Sequence, residues 1–386
     1  MNRRDQALQV SDALRLESYP HPYPKGWYRL AASSELRRGD IRYIECLGGQ
    51  FVVWREEDGD AVHVMDAHCP HMGASLGLGR VRGDCIECPF HLWRFTGTGR
   101  VAHIPYSDRL PQRTAARSHP VRDVYGQIFI YHANDDSTRR DPVDPPYELP
   151  KFPELDDGRM VYRGQHDAGR VGMHIIEFAE NTADTAHFQP LHGQFKIPWT
   201  EIPVPGVEIV HSPQWMPDQE RSWAAHLDDD AGLRVLGHRL VQRLALARVS
   251  FWGPGSVMTF RISVPGMGEV LLFQTHLPVG PLEQQVDFRW YADRQMPRLL
   301  VGGVVGGWVS QWREDLDIWG SKVYRTRPLL SGDDGPIRAM RRWYRQFLPD
   351  DRSEDTQSRM NSVQEPAEQR ETQSQIGATT LGDNTD

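Results

Sequence analysis

Two short runs hold residue types that bind metal: Cys69-Pro70-His71 and, after sixteen intervening residues, Cys88-Pro89-Phe90-His91. Two thiolates and two imidazoles can close on a two-iron, two-sulfide cluster, with the cysteines on one iron and the histidines on the other. Neutral imidazole favours reduced iron more than thiolate does, so such a cluster sits above an all-cysteine one in potential and hands on single electrons. A structural zinc is the rival reading of the same four residues. Zinc fingers usually pair like with like, whereas each run here carries one ligand of each type.

A second constellation lies in Glu180-Asn181-Thr182-Ala183-Asp184-Thr185-Ala186-His187-Phe188-Gln189-Pro190-Leu191-His192. A helix over residues 173–188 would place Glu180, Asp184 and His187 on one face, and Pro190 would end or bend it so that His192 arrives on the following loop. Two histidines and one carboxylate form the non-haem Fe(II) set that leaves positions open for oxygen. Between Trp308 and Trp319, helical phase puts Trp308, Trp312, Asp315 and Trp319 on one side and points Glu314 and Asp317 elsewhere. A carboxylate inside an aromatic stripe must be paired or coordinate a metal. Asp315 is therefore the candidate third ligand, with an ion pair to an arginine such as Arg325 as the alternative. The bland reading of the histidines is a helix end with ordinary capping and ion pairs; an electron donor upstream argues against it.

These residues need two frameworks to hold them, and 386 residues suffice for two domains. Residues 1–26 read as an extended arm with Pro20, Pro22 and Pro24. Residues 27–132 read as a small β domain, in which Phe51–Trp54 and Ala61–Met65 flank the turn Asp58-Gly59-Asp60 and Gln127–Tyr131 closes the set. Residues 133–150 read as a proline-rich linker. Residues 151–348 carry strand candidates at Val235–Phe251, Val257–Val264, Glu269–Leu277 and Gln285–Tyr291 between helices, an α+β class. Residues 349–386 are polar and expected to be disordered. The net charge of −8 without basic clusters argues against nucleic acid. The longest apolar stretch, Leu299 to Val309, is eleven residues with four glycines, too short to span a bilayer. Met1-Asn2-Arg3-Arg4 leads into polar residues, so no signal peptide is expected. Cys46 and Cys85 read as reduced thiols in a cytoplasmic protein, although Cys85-x-x-Cys88 imitates a redox pair. His68 and His103 lack ligand spacing and read as surface or hydrogen-bonding residues.

Together, Cys69-Pro-His-Met-Gly, Cys88-Pro-Phe-His and Asp184-x-x-His187-x4-His192 resemble the Rieske non-haem iron oxygenases, over roughly Trp27 to Phe347. Glu180-Asn-x-x-Asp-x-x-His-Phe and Asp315-x-x-Ile-Trp, with Lys322-Val323-Tyr324, are similar to the ketosteroid 9α-hydroxylases and cholesterol 7-desaturases. The resemblance implies an all-β Rieske domain followed by a helix-grip catalytic domain. It implies a [2Fe–2S] cluster on Cys69, His71, Cys88 and His91, and a mononuclear Fe(II) on His187, His192 and Asp315. Asp184 would be an electron-transfer bridge and Asn181 a catalytic residue beside it, in a head-to-tail homotrimer. Electrons would come from NAD(P)H through a separate ferredoxin or flavin-dependent reductase, since no nucleotide-binding fingerprint is present. With O2 they would hydroxylate or desaturate a small hydrophobic substrate, steroid-like or polycyclic. A natural-product tailoring oxygenase, performing oxidative cyclisation or O-demethylation, is the runner-up, and a non-catalytic electron-transfer or lipid-binding protein the remote one. Respiratory Rieske subunits also carry a disulfide and a hydrogen-bonding serine. Ala74, Phe90 and Trp93 stand at those positions, which implies a lower potential, suited to feeding an oxygen-activating iron. Leu92 stands where these oxygenases commonly have glycine; if that position needs positive φ, leucine is strained there or the loop is redrawn.

Overall fold

Short β-branched and aromatic runs, broken by glycine turns, build the first half of the chain as three small antiparallel sheets. The computed structural model describes residues 12–133 and 145–349, so most of the expected linker and all but the first residue of the expected tail lie outside the described residues. In order, the elements are α1 (Asp12–Ser18), β1 (Gly26–Ala32), β2 (Ile41–Cys46), β3 (Gly49–Arg55), β4 (Val62–Asp66), β5 (Arg80–Arg82), β6 (Cys85–Glu87), β7 (Arg94–Thr96), β8 (Val101–His103), β9 (Ser118–His119), β10 (Val121–Val124) and β11 (Gln127–His132). The sheets run β1-β11-β10, β2-β3-β4-β9 and β5-β6-β7-β8. The turn at Asp58-Gly59-Asp60 joins β3 to β4 with Trp54 opposite His63, as its sequence predicts. Val52, Trp54, Met65, Ile86 and Phe95 form one buried cluster with Cys69 and Cys88. Each such side chain contributes about 1.5–3 kcal/mol by burial, so the loops after β4 and β6 hang from a firm base.

The second half follows as α2 (Pro153–Asp156), β12 (Met160–Val171), α3 (Ile176–Ala183), α4 (Phe188–His192), β13 (Gln194–Lys196), β14 (Pro203–Val210), β15 (Pro213–Pro217), β16 (Ala224–Val235), β17 (His238–Trp252), β18 (Val257–Val264), β19 (Gly268–Gly280), β20 (Glu283–Asp293), α5 (Arg298–Ser321) and α6 (Ile337–Tyr344). Its sheet is antiparallel throughout, in the order β12-β20-β19-β18-β17-β16-β14-β13, with β15 also paired to β16. One face of α5, with Val301, Val305, Val309, Trp312 and Trp319 buried, packs on Phe260, Leu272 and Phe288 of the sheet. A long helix held against a long antiparallel sheet is the α+β, helix-grip arrangement that the sequence implies.

Two expectations need correction. The run from Val235 to Phe251 is not one strand: Leu236 (φ 48°) and Gly237 (φ 81°) turn the chain between β16 and β17. Positive φ at both central residues is the geometry of a type I′ hairpin, which leucine disguises. Nor is the N-terminal arm wholly extended. Helix α1 docks on the second half, where buried Arg15 donates to the carbonyl of Trp319 at 2.8 Å and the Tyr19 hydroxyl donates to Glu177 at 2.5 Å. The two halves also meet directly: the Leu47 amide donates to the Pro278 carbonyl, and Arg29 pairs with Asp287 at 2.5 Å.

Candidate electron-transfer and metal centres

The two loops bearing Cys69 and Cys88 share one local geometry. In the first, the Gly73 amide donates to the Cys69 carbonyl; in the second, the Leu92 amide donates to the Cys88 carbonyl. Each closing residue lies four positions after its cysteine and is left-handed, Gly73 at φ 75° and Leu92 at φ 57°. Leucine therefore occupies a position that favours glycine, and the loop is not redrawn. The His71 and His91 rings stand 4.6 Å apart, and His71 stacks on Trp93 at 4.4 Å. Trp93 in turn donates its indole N–H to the Tyr106 hydroxyl rather than towards the sulfurs. The amides of His71 and Met72 point at the Cys69 sulfur. Nδ1 of His91 is buried without a partner, an orphan that an iron ligand explains. Cys46 and Cys85 are buried free thiols, and burial pushes the Cys85 thiol up to about 12. His68 bonds Gln50 and the Gly73 carbonyl, and His103 is exposed.

The second constellation converges by a different route from the expected one. The helix does not continue to residue 188: α3 stops at Ala183, and Asp184 takes φ −81°, ψ 85°. A single 3₁₀ turn, Thr185–His187, and the short helix α4 follow, so His192 sits at a helix end rather than on a loop. Pro190 lies in the first turn of α4, where a missing N–H costs nothing. The ligand atoms of His187, His192 and Asp315 all lie within 4.8 Å of one another. Asp315, 4% exposed, faces His192 Nε2 at 3.4 Å, which answers the alternative of a pair with Arg325. Nδ1 of His187 donates to the Asp184 carbonyl, which makes Nε2 the ring's lone-pair nitrogen. Asn181 Nδ2 sits 3.1 Å from that Nε2, while the Asp184 carboxylate is 3.9 Å from Nδ1 and partly exposed.

Glu180 does not share that face; it pairs with Lys322 at 3.2 Å and Arg341 at 2.6 Å. Glu314, which helical phase sends elsewhere, does belong to the site. Its carboxylate accepts from His192 Nδ1 at 3.2 Å and pairs with Lys196. The available signal was Glu314's place beside Asp315, but ideal phase could not show that a histidine from another helix would reach round to it. Burial works against charge on both rings. It wins at His187, whose pKa falls, whereas at His192 the hydrogen bonds to Asp315 and Glu314 outweigh it and the pKa rises to about 9. A dication held by the same atoms would replace that proton. Two imidazoles and a carboxylate with an open side fit Fe(II), and the side that stays open is a cavity. Its volume is about 380 Å³, and its walls are apolar side chains of α5 and of strands β14 and β16 to β18, including Ile209, Ala247, Val249, Ile262, Val304 and Trp308.

Residues 26–114 match the Rieske [2Fe-2S] domain, and residues 134–348 match the 3-ketosteroid 9alpha-hydroxylase C-terminal domain. Cholesterol 7-desaturase of Drosophila melanogaster is 33% identical over 337 residues, 85% of this chain and 76% of that protein. A probable 3-ketosteroid-9-alpha-monooxygenase oxygenase component of Rhodococcus rhodochrous is 29% identical, over 86% of this chain and 81% of its own. Dicamba monooxygenase bound to dicamba shares the fold, with a TM-score of 0.59 at 19% identity, over 86% of this chain and 98% of that one. Pseudomonas putida CBB5 NdmA with caffeine does likewise, at 0.60 and 17%, over 85% and 97%.

The chain therefore belongs to the Rieske non-haem iron oxygenases, enzymes whose cofactors are a [2Fe–2S] cluster and a mononuclear Fe(II); the zinc reading falls. Within that class it falls in the branch of the ketosteroid 9α-hydroxylases and cholesterol 7-desaturases. Among the described residues, no helix is long and apolar enough to cross a membrane.

Proposed function

We propose that the chain is the oxygenase component of a multi-protein system that hydroxylates or desaturates a hydrophobic, steroid-like or polycyclic molecule. The observation that carries this reading is the apolar cavity ending on His187, His192 and Asp315. Its volume suits one small ligand, since such pockets run about 300–1,000 Å³. The names of the Drosophila and Rhodococcus relatives, a cholesterol desaturase and a ketosteroid monooxygenase, support the substrate class.

In this reading Cys69, His71, Cys88 and His91 hold the cluster, and His187, His192 and Asp315 hold Fe(II). When bound, these groups supply single electrons and dioxygen activation at an unactivated C–H bond. The chain's own residues do the positioning. The Asp184 carbonyl and Glu314 each fix one imidazole through its Nδ1–H, so that both Nε2 atoms face the cavity, and Asn181 approaches the Nε2 of His187. The apolar walls exclude water and orient the substrate. Asp184 serves as the electron bridge: its carboxylate is partly exposed beside His187, open to a neighbouring subunit of a homotrimer. Met72 and Phe90, exposed beside the cluster histidines, offer that neighbour an apolar contact. The electrons come from NAD(P)H through a separate reductase.

Two measurements test this. Anaerobically purified protein should hold three irons and two acid-labile sulfides per chain. Supplied with a ferredoxin, its reductase, NADH and O2, it should convert cholesterol or a 3-ketosteroid to products shifted in mass by one oxygen or by two hydrogens. Oxidation of caffeine or dicamba with both steroids untouched would overturn the substrate class.

A further inference from the structure

We propose that Gln311 recognises a single oxygen atom on the substrate and thereby fixes which carbon meets the metal site. This rests on the reading of the cavity as the binding site of an oxidisable polycyclic molecule.

Most other polar side chains along the cavity are engaged within the chain; the exception is the indole N–H of Trp312, buried without a partner, which can only donate, whereas a carboxamide both donates and accepts. The Thr182 hydroxyl donates to the Ala179 carbonyl at 3.0 Å, and the indole N–H of Trp308 donates to Gln274 at 3.1 Å. His211 is held by Asp229 at 2.7 Å, Lys196 pairs with Glu314, and Asn181 approaches His187. Gln311 also lines the cavity and is half-buried, yet its carboxamide has no hydrogen-bond partner among the described residues. A carboxamide offers two N–H donors and one acceptor oxygen. A purely apolar ligand would strip water from it and give nothing back, which weakens binding by roughly fivefold to a hundredfold. A ketone or hydroxyl at the same point restores the bond.

The helix sets the distance. Gln311 lies one turn before Asp315 on the same face of α5, about 6 Å along the axis. An oxygen bound by Gln311 therefore sits on the same ring as the reacting carbon or on the adjoining one, not at the far end of the skeleton. The ligand class is an apolar polycycle with one oxygen close to the oxidised position. Trp308, backed by the buried Phe260 ring 4.3 Å away, supplies an aromatic wall for its body.

The test uses oxidised holoprotein without reductase, so that binding is read without turnover. Trp308 and Trp312 line the cavity and report binding by fluorescence. The probes are 5α-androstan-3-one and the hydrocarbon 5α-androstane. Wild type should bind the ketone about tenfold more tightly than the hydrocarbon, and Gln311→Leu should lose that tenfold for the ketone alone. Under turnover, Gln311→Leu should scatter oxidation over several positions, while iron, sulfide and the cluster's circular dichroism stay unchanged. Should the leucine variant lose iron, Gln311→Met supports the same comparison. Equal discrimination by variant and wild type would overturn the role of Gln311 and leave the cavity reading standing. Binding of neither probe to wild type would overturn both.

Discussion

Glu314 supports the site from behind, and Glu314→Gln isolates what it does. The substitution keeps the volume and an acceptor oxygen for His192 Nδ1 but removes the charge opposite Lys196. The Lys196 and Glu314 side chains are only 11% and 17% exposed. Stripping one member from a buried ion pair costs about 3–5 kcal/mol; the residual exposure and the retained acceptor bring the expected loss down to about 2 kcal/mol. Lys196→Met should cost about the same, for the mirror-image reason. The double variant leaves no stranded charge, so its stability should return to within about 1 kcal/mol of wild type. Iron affinity should separate the two singles. A neutral amide supports His192 less well than a carboxylate, so Glu314→Gln should bind Fe(II) about tenfold more weakly, whereas Lys196→Met keeps its affinity. Urea unfolding followed by tryptophan fluorescence gives the stabilities, and anaerobic Fe(II) titration the affinities. Additive losses in the double variant, or unchanged iron affinity in Glu314→Gln, would refute the reasoning.

Three further outcomes follow from particular residues. His174 and His276 are fully buried, and burial depresses their pKa values to about 3. The unfolded chain takes up these protons near pH 6.5 and the folded one does not, so stability is complete above that value and falls as pH drops towards 3. At about pH 5.5 the two together should cost about 3 kcal/mol relative to neutral pH, and His276→Gln should flatten the decline seen by urea unfolding; a decline as steep as wild type's would count against it. Leu92→Gly relieves a left-handed residue worth about 1–2 kcal/mol, less about 0.5–1 kcal/mol for the added freedom of the unfolded chain. The variant should therefore melt higher with an unaltered cluster spectrum, and a lower melting temperature would show that Leu92 packs usefully. Asp184→Asn should retain three irons per chain but slow the oxidation of the cluster in a single turnover; unchanged rates would remove Asp184 from the electron path.

Ligand chemistry made the cluster motif legible. Few side chains bind iron, so Cys69, His71, Cys88 and His91 stand out by type as candidate ligands, and Asp315 does so by being charged within an aromatic stripe. Strand positions such as Val257–Val264 could be read because alternation and turns are local. The hairpin at Leu236-Gly237 could not, since leucine hides a positive φ, and Arg15 gave no sign that it would be buried against a carbonyl three hundred residues away. Glu314 was missed for a related reason: helical phase says which way a residue leaves its own helix, not which side chain arrives from another.

The misjudged helix is the more instructive case. Had α3 run on through His187, Glu180 and His187 would share one face, since seven residues make almost two full turns. Instead Glu180 turns to Lys322 and Arg341, and His187 turns to the cavity. The break does more than redirect the ring. In a continuous helix the Asp184 carbonyl would accept from the amide of residue 188; released at the break, it accepts from His187 Nδ1. Pro190 guards the interruption, because it has no N–H to offer the Ala186 carbonyl. The irregularity that defeats periodicity thus supplies the hydrogen bond that aims His187 Nε2 at the same point as His192 Nε2.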